Sequence, residues 1–261
     1  MTHRLASVPT PRKLTYTDLS SSLMLGIKDF AAAPLIDLFF ASFFVATGLL
    51  MAWITFVTGT TFWLVLAVLG FPLIGTLAAL GFYETSRRRM SGETLTFGSI
   101  ASVVWAHKNG QLPWLATIIV VIFLFWFFLG HMIFALFLGL SPMTNVSSSL
   151  DVFVTSDGLT MLGFGSIVGA VFAVVIFSMS VLGIPMLYDR DIDFITAMIR
   201  SMAAVKQAPF IYLAWGFFLA LVTLAAMLPL FLGLFFAMPI LGHATWHLYK
   251  RVTIDDIGSE S

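Results

Sequence analysis

Three histidines in apolar stretches have the side chains best suited to chemistry. His243 and His247 are four positions apart, so a helix places both imidazoles on one face. Such a pair can bind a metal or, with His131, ligate haem. We expect His131 near the outer end of its helix and the pair near the cytoplasmic end of another, which disfavours one shared site. His243 and His247 are candidate cofactor-binding residues. The alternative is an interfacial belt with Trp246 and Tyr249.

Acidic residues lie only at the ends of the apolar stretches, and Asp37 occupies the first turn of the first one. Carboxylates that couple protons or sodium to transport usually lie near mid-membrane. This distribution argues against a coupled transporter but leaves a passive channel open. Asp189, Asp191 and Asp193 surround Arg190 and could bind a divalent cation. Such a run is more typical of a solvated loop that caps the next helix.

The chain contains no Cys, which excludes disulfides, thiolate metal sites and Fe–S clusters. It also has no Gly-rich phosphate loop, His-Glu-x-x-His or Gly-x-Ser-x-Gly motif. We therefore expect no catalytic residue, no metal site and no bound cofactor, and we interpret the protein as a non-enzyme.

The distribution of basic residues predicts how these groups are held. All 13 Lys and Arg residues fall into four clusters that alternate with long apolar stretches. Because basic segments near span ends stay in the cytoplasm, the pattern predicts an even number of spans, most simply six, with both termini inside. The 261 residues are 59% hydrophobic and 10% charged, against about 25% charge in soluble domains. We expect one membrane domain at residues 14–251 between cytoplasmic tails at 1–13 (disordered) and 252–261.

The predicted fold is an all-α membrane protein, a bundle of six transmembrane helices. Three segments that resemble one another precede pairs of spans, and each has an aromatic residue, a helical stretch, a Lys and a Pro. Their corresponding aromatic residues are Tyr16, Phe97 and Phe194. Each is too short and polar to span, so we interpret each as an amphipathic helix in the cytoplasmic interface. The bundle would thus consist of three degenerate repeats. The predicted spans are residues 36–56, 62–82, 115–138, 159–182, 210–227 and 230–248.

Other residues have structural roles in this interpretation. Gly165 and Gly169 allow close helix packing, more plausibly within one chain than between two. Three prolines near the cytoplasmic ends of spans should bend them: Pro72, Pro185 and Pro239. The basic residues at the span ends should anchor the protein to lipid headgroups: Lys28, Arg87, Arg88, Arg89, Lys108, Lys206, Lys250 and Arg251.

Three stretches resemble a family of predicted bacterial integral membrane proteins, common in proteobacteria and known only as a domain of unknown function. They are GFPLIGTLAALGFYETSRR at 70–88, GIPMLYDRDIDFITAM at 183–198 and PILGHATWHLYKR at 239–251. Some members are labelled cytochrome c oxidase subunit I, a protein with twelve spans and six ligating histidines. This chain, with six predicted spans and three histidines in or near them, does not support that label. The resemblance implies a fold and a bacterial inner-membrane location, but no catalytic residue.

We expect a non-enzymatic inner-membrane protein that acts as an accessory or assembly partner of a membrane complex, or that organises lipids. Its expected partners are membrane lipids and another inner-membrane complex. Nucleic acid is not expected, because the basic residues form no patch. One alternative is a transporter or channel for a small or amphipathic solute. A second is a haem- or metal-binding component of a respiratory chain.

Overall fold

A computed structural model of the protein describes residues 11–59, 64–139 and 153–253, with the backbone alone at 64–74. The described residues leave out most of the two predicted tails. They also leave out residues 60–63 and 140–152, which include parts of the connections between predicted spans. The helices are α1 (Tyr16–Ala32), α2 (Pro34–Thr58), α3 (Leu64–Met90), α4 (Phe97–Ala106), α5 (Leu112–Leu138), α6 (Ser156–Ser180), α7 (Gly183–Asp189), α8 (Phe194–Gln207), α9 (Pro209–Met227) and α10 (Leu234–Val252).

Four of the described helical segments are long and apolar enough to cross a membrane. They are α2, α5, α6 together with α7, and α9, with mean hydropathies between 2.1 and 2.6. Helices α3 and α10 occupy the predicted second and sixth spans, and both end in basic residues. The helical fold and several crossings are therefore supported, while six crossings remain a proposal.

The three predicted amphipathic segments are separate helices, α1, α4 and α8. Thr15, Thr96 and Asp193 cap their N-termini, each accepting a hydrogen bond from a backbone N–H three residues on. The predicted capping role of Asp193 is thereby confirmed. Ala33 and Ala208, which end α1 and α8, share one conformation, with φ/ψ of −139°/48° and −143°/60°. Each precedes a proline, which excludes its neighbour from the helical region.

Helix α1 packs mainly against α10, through a face of small and polar residues: Asp18, Ser22, Gly26 and Asp29 are buried. A Cβ added at Gly26 would lie 2.6 Å from the carbonyl oxygen of Ile240, so the two backbones approach too closely for any side chain. The apolar stripe of α1 faces outward in part. It is available to lipid, whereas the polar face contacts the protein.

The structure describes the surroundings of two of the three prolines that are predicted to bend spans. Pro185 lies in the first turn of α7, directly after the break between α6 and α7 at residues 181–182. Pro239 lies inside α10, where it cannot donate a backbone hydrogen bond. The side chain of Pro72 lies outside the described residues, and the bends themselves stay predictions.

The core lies at the end of the bundle where α1, α7, α8 and the last half of α10 meet. Trp246, Tyr249, Leu182 and Met186 are fully buried there. By contrast, the faces of α5, α6 and α9 expose large apolar side chains, as helices surrounded by lipid do. This packed end holds the polar groups described next.

Candidate functional site

A buried polar network joins four helices. Asp29 of α1 receives hydrogen bonds from Ser86 Oγ of α3 (2.5 Å) and His247 Nε2 of α10 (2.6 Å). Ser86 Oγ also lies 2.8 Å from His243 Nδ1, and His243 Nε2 lies 3.0 Å from Asp37 Oδ2 of α2. All five side chains are buried, and we call this set the Asp–His network.

Asp29 is the ionised member of this network. Burial alone would raise the pKa of Asp29, but the hydrogen bonds from His247 and Ser86 outweigh it and hold the pKa below its ordinary value. Arg89 also donates to the other oxygen, Asp29 Oδ1, at 2.6 Å. Asp29 therefore accepts three hydrogen bonds as a carboxylate, and the guanidinium of Arg89 balances its charge.

The charge on Asp29 determines where the protons of Ser86 and His243 lie. Ser86 has one hydroxyl proton and donates it to the Asp29 carboxylate, so Ser86 accepts from His243 Nδ1–H. The contact between His243 Nε2 and Asp37 then needs one more proton. It lies either on Nε2, as an imidazolium beside a carboxylate, or on Asp37, as a neutral acid beside a neutral imidazole. Asp37 and His243 thus hold one proton between them.

The network lies at one end of α2, a candidate membrane span. From Asp37 to the far end of α2 at Thr58 is about 32 Å at the rise of an α-helix, close to the thickness of a hydrocarbon core. On the membrane side, Phe40, Phe44 and Phe82 form an apolar layer, and the Phe82 ring contacts His243 edge-on at 5.7 Å. On the other side, Arg89 is 36% exposed. Hydrogen bonds therefore connect the exposed Arg89 to the pair of Asp37 and His243. The three phenylalanine rings lie between this pair and the apolar part of the bundle.

A second cluster surrounds Glu84, one turn before Arg87 and Arg88 on α3. Glu84 is completely buried and pairs with Arg87 at 2.7 Å and with Arg88 at 2.6 Å. It also accepts a hydrogen bond from the Tyr188 hydroxyl of α7. Because Glu93 pairs with the same two arginines, the cluster fixes the end of α3 to α7 and to the following loop.

The acidic run 189–193 does not form a solvated loop throughout. Arg190 is 1% exposed and donates to the Tyr249 hydroxyl at 3.2 Å. Asp189 accepts from Tyr249 at 2.8 Å and from Lys250 at 2.9 Å. The start of the run attaches α7 to α10, which corrects that part of the sequence-based interpretation, whereas Asp191 and Asp193 are exposed.

The N-terminal segment is attached in a similar way. Arg12 forms an ion pair with Asp18 at 2.6 Å, and its Nε donates to the backbone of Arg251. Burial raises the pKa of Asp18, but hydrogen bonds from Arg12 and Thr15 outweigh it and lower the pKa to about 2. Asp18 is therefore a carboxylate at neutral pH, and it joins α1 to the end of α10.

The predicted interfacial belt at the end of α10 is wrong. His243, Trp246 and Tyr249 are 0% exposed and His247 is 5% exposed, because α1, α3 and α7 cover this part of α10. His243 and His247 do share a helix face, as their spacing predicts. Both ring nitrogens of His243 already have partners, so ligation of a metal or haem iron would require one of these contacts to break.

His131 is not part of the network. It lies in the second half of α5, beside a groove against α6. Among the described residues, no group of three or more His, Asp and Glu side chains is placed to hold a metal ion.

The predicted lipid anchors fall into two sets. Lys28, Lys108 and Lys206 are exposed on or just after α1, α4 and α8, where headgroups can reach them. The remaining anchors form ion pairs within the protein: Arg87, Arg88, Arg89, Lys250 and, at 4.0 Å from Asp18, Arg251. Contact of either set with lipid stays a prediction.

Asp29 and Ser86 were not identified from the sequence as site residues. Ser86 lies 157 positions from His243 in the chain, and Asp29 lies 218 positions from His247, so no local motif joins them. One signal was present. Asp18, Ser22, Gly26 and Asp29 follow helical spacing on α1, which places a polar face beside the apolar stripe of Leu19, Leu23, Ile27 and Phe30.

Residues 64–189 match the model of a family described as predicted integral membrane protein, DUF2189. This match confirms the resemblance to an uncharacterised family of membrane proteins. No curated protein and no solved structure matches the chain.

Proposed function

We propose that this chain, which matches the DUF2189 family of predicted integral membrane proteins, is a proton-linked transporter of a small or amphipathic solute. The observation that carries this proposal is the buried contact of 3.0 Å between Asp37 Oδ2 and His243 Nε2, which requires one proton between the two groups. The sequence argues against coupled transport because no carboxylate lies at mid-membrane, and Asp37 does lie in the first turn of α2. It is nevertheless fully buried against His243. Ionisable groups buried in membrane proteins are costly, and they commonly mark ion paths and proton relays.

A purely structural role explains the network less well. Replacing buried ion pairs with packed apolar groups is often neutral or stabilising, so such pairs are weak evidence for stability. A proton-binding role explains why the Asp–His network contains histidines, because imidazole can gain or lose a proton near neutral pH. It also accounts for the hydrogen-bonded path from Arg89 and Asp29 through Ser86 to His243.

The helices around the network supply the parts that can move. Pro239 lies one turn before His243, and the backbone hydrogen bond that it cannot donate weakens α10 there. A shift of α10 relative to α3 would separate His243 from Phe82 and expose the shared proton beyond the aromatic layer. Loss of the proton on the other side would reverse the shift. Protonation of Asp37 and His243 would thereby be linked to the side of the membrane from which the pair can be reached.

We place the protein in the bacterial inner membrane with both termini in the cytoplasm, because the basic residues in the last turns of α3 and α10 lie at the network end of the bundle. The network then opens toward the cytoplasm.

The test is flux in vesicles. The purified protein would be reconstituted with a pH-sensitive dye inside, and pools of small amines, carboxylates and amphipathic solutes would be added outside. We expect at least one pool to change the internal pH faster than in vesicles without protein. If none does so at any imposed pH gradient, the transporter proposal fails.

A second candidate is the accessory or assembly role expected from the sequence. A groove of about 430 Å³ between α6 and α9 favours it. Its lining includes Ala170, Ala173, Gly216 and Ala220, and small residues of this kind allow a helix of another membrane protein to approach closely. In that case a partner would be recovered with the protein in mild detergent.

A further inference from the structure

A groove between α5 and α6 lies far from the Asp–His network and presents His131 and Ser166 in mostly apolar surroundings. Its volume is about 480 Å³, within the range of small-molecule sites. The lining residues that matter here are Trp126, Gly130, His131, Gly165, Ser166 and Gly169.

The tautomer of His131 follows from its contact with α5. His131 Nδ1 lies 2.8 Å from the carbonyl oxygen of Phe127, and a carbonyl oxygen only accepts, so Nδ1 carries the proton. In a neutral imidazole the other nitrogen, Nε2, is then an acceptor. A ligand that binds His131 must therefore bring a hydrogen-bond donor.

Two glycines of this groove, Gly130 and Gly165, make no close helix contact. A Cβ added at Gly130 would meet nothing within 4 Å, and one added at Gly165 would meet only a methyl group of Ile133 at 4.0 Å. Glycine inside a helix costs about 1 kcal/mol relative to alanine, and no close backbone approach compensates for it here. What these glycines provide is open space with a flat surface beside the Trp126 and Phe127 rings.

The position of the groove selects a lipid-soluble ligand. His131 lies about 10 Å from the end of α5 at Leu138, near the edge of the hydrocarbon core for a helix of this length. Trp126 and Gly169 lie deeper along the same groove, and Trp126 Nε1 would be 3.3 Å from a Cβ at Gly169. A polar head at His131 and an apolar tail toward Trp126 fit this gradient.

We propose that this groove binds a lipid-soluble phenol or hydroquinone, with a ring hydroxyl donating to His131 Nε2 and the ring lying over Gly130 and Gly165. A flat ring fits a surface without side chains and can stack on Trp126. The phenolic hydroxyl supplies the donor that the tautomer requires. The site is independent of the proposed transport function.

The test uses the full chain in lipid nanodiscs and a decyl-substituted hydroquinone kept reduced. We expect saturable binding above that of empty nanodiscs, and about tenfold weaker binding by His131→Leu, the size of one hydrogen bond. His131→Gln should restore much of the affinity, since its amide oxygen accepts. Gly165→Leu should abolish binding while the protein stays folded, because a Cβ at this position would meet only a methyl group of Ile133 at 4.0 Å.

A matched probe with both hydroxyls methylated separates this site from simple partition. It should bind as weakly as the hydroquinone binds to His131→Leu. Equal binding of the two probes would overturn the proposal, as would unchanged binding by His131→Leu. Saturable binding of a decyl alcohol in preference to the hydroquinone would overturn the assignment to a phenolic ring.

Discussion

Asp37→Asn should reduce proton-linked flux to the level of vesicles without protein. The amide has the size of the carboxyl group and can donate to His243 Nε2, so the packing of α2 against α10 is kept. It has no proton to exchange near neutral pH, so the pair no longer gains and loses one. The measurement is the rate of internal pH change with a solute that the wild type transports. His243→Gln should have the same effect.

The matched control is Asp157→Asn, the same chemical change at an exposed carboxylate in the first turn of α6. It should transport at the wild-type rate. Elution and thermal stability of both variants in detergent would show that they are folded. Wild-type flux by a folded Asp37→Asn protein would remove Asp37 from the mechanism.

Asp29→Ala should release α1 from the bundle. The substitution leaves His247, Ser86 and Arg89 without their shared acceptor. Breaking a buried ion pair costs about 3–5 kcal/mol, and we expect about 3 kcal/mol because part of Arg89 reaches solvent. Little apolar area compensates, since the buried face of α1 is polar. Hydrogen exchange of the α1 amides should therefore become about a hundredfold faster.

Two further variants interpret that result. Asp29→Asn keeps one acceptor oxygen and should accelerate exchange less than Asp29→Ala. Asp157→Ala removes an exposed carboxylate and should leave α1 unchanged. If α1 exchanges at the wild-type rate in Asp29→Ala, then the contact at Gly26 holds the helix and the carboxylate does not.

The sequence was sufficient for the helices and for the general location of the site. Apolar length predicts α2, α5, α6 and α9 within a few residues, since each is bounded by a turn, a proline or a polar segment. The spacing of His243 and His247 placed both on one face of α10. These features depend on local periodicity, which a single sequence contains.

Local periodicity cannot identify the hydrogen-bond partners of His243 and His247. When the packing of α1 is not known, the sequence at the end of α10 is typical of a membrane-interface segment. Its two histidines are then interpreted as residues of an interfacial belt. Asp37 was noted only as a residue at a span end, where a carboxylate usually contacts water. It is buried because α1 and α10 close over the start of α2, a consequence of tertiary packing that no local spacing shows.

The central claim is that Asp37 and His243 share one exchangeable proton, and infrared difference spectroscopy of the protein in membranes tests it most directly. Spectra would be compared between mildly acidic and mildly alkaline buffers for the wild type, Asp37→Asn and Asp157→Asn. We expect a pH-dependent band of a protonated carboxyl group or of the imidazolium in the wild type and in Asp157→Asn, and its loss in Asp37→Asn. An identical difference spectrum in Asp37→Asn would contradict the account.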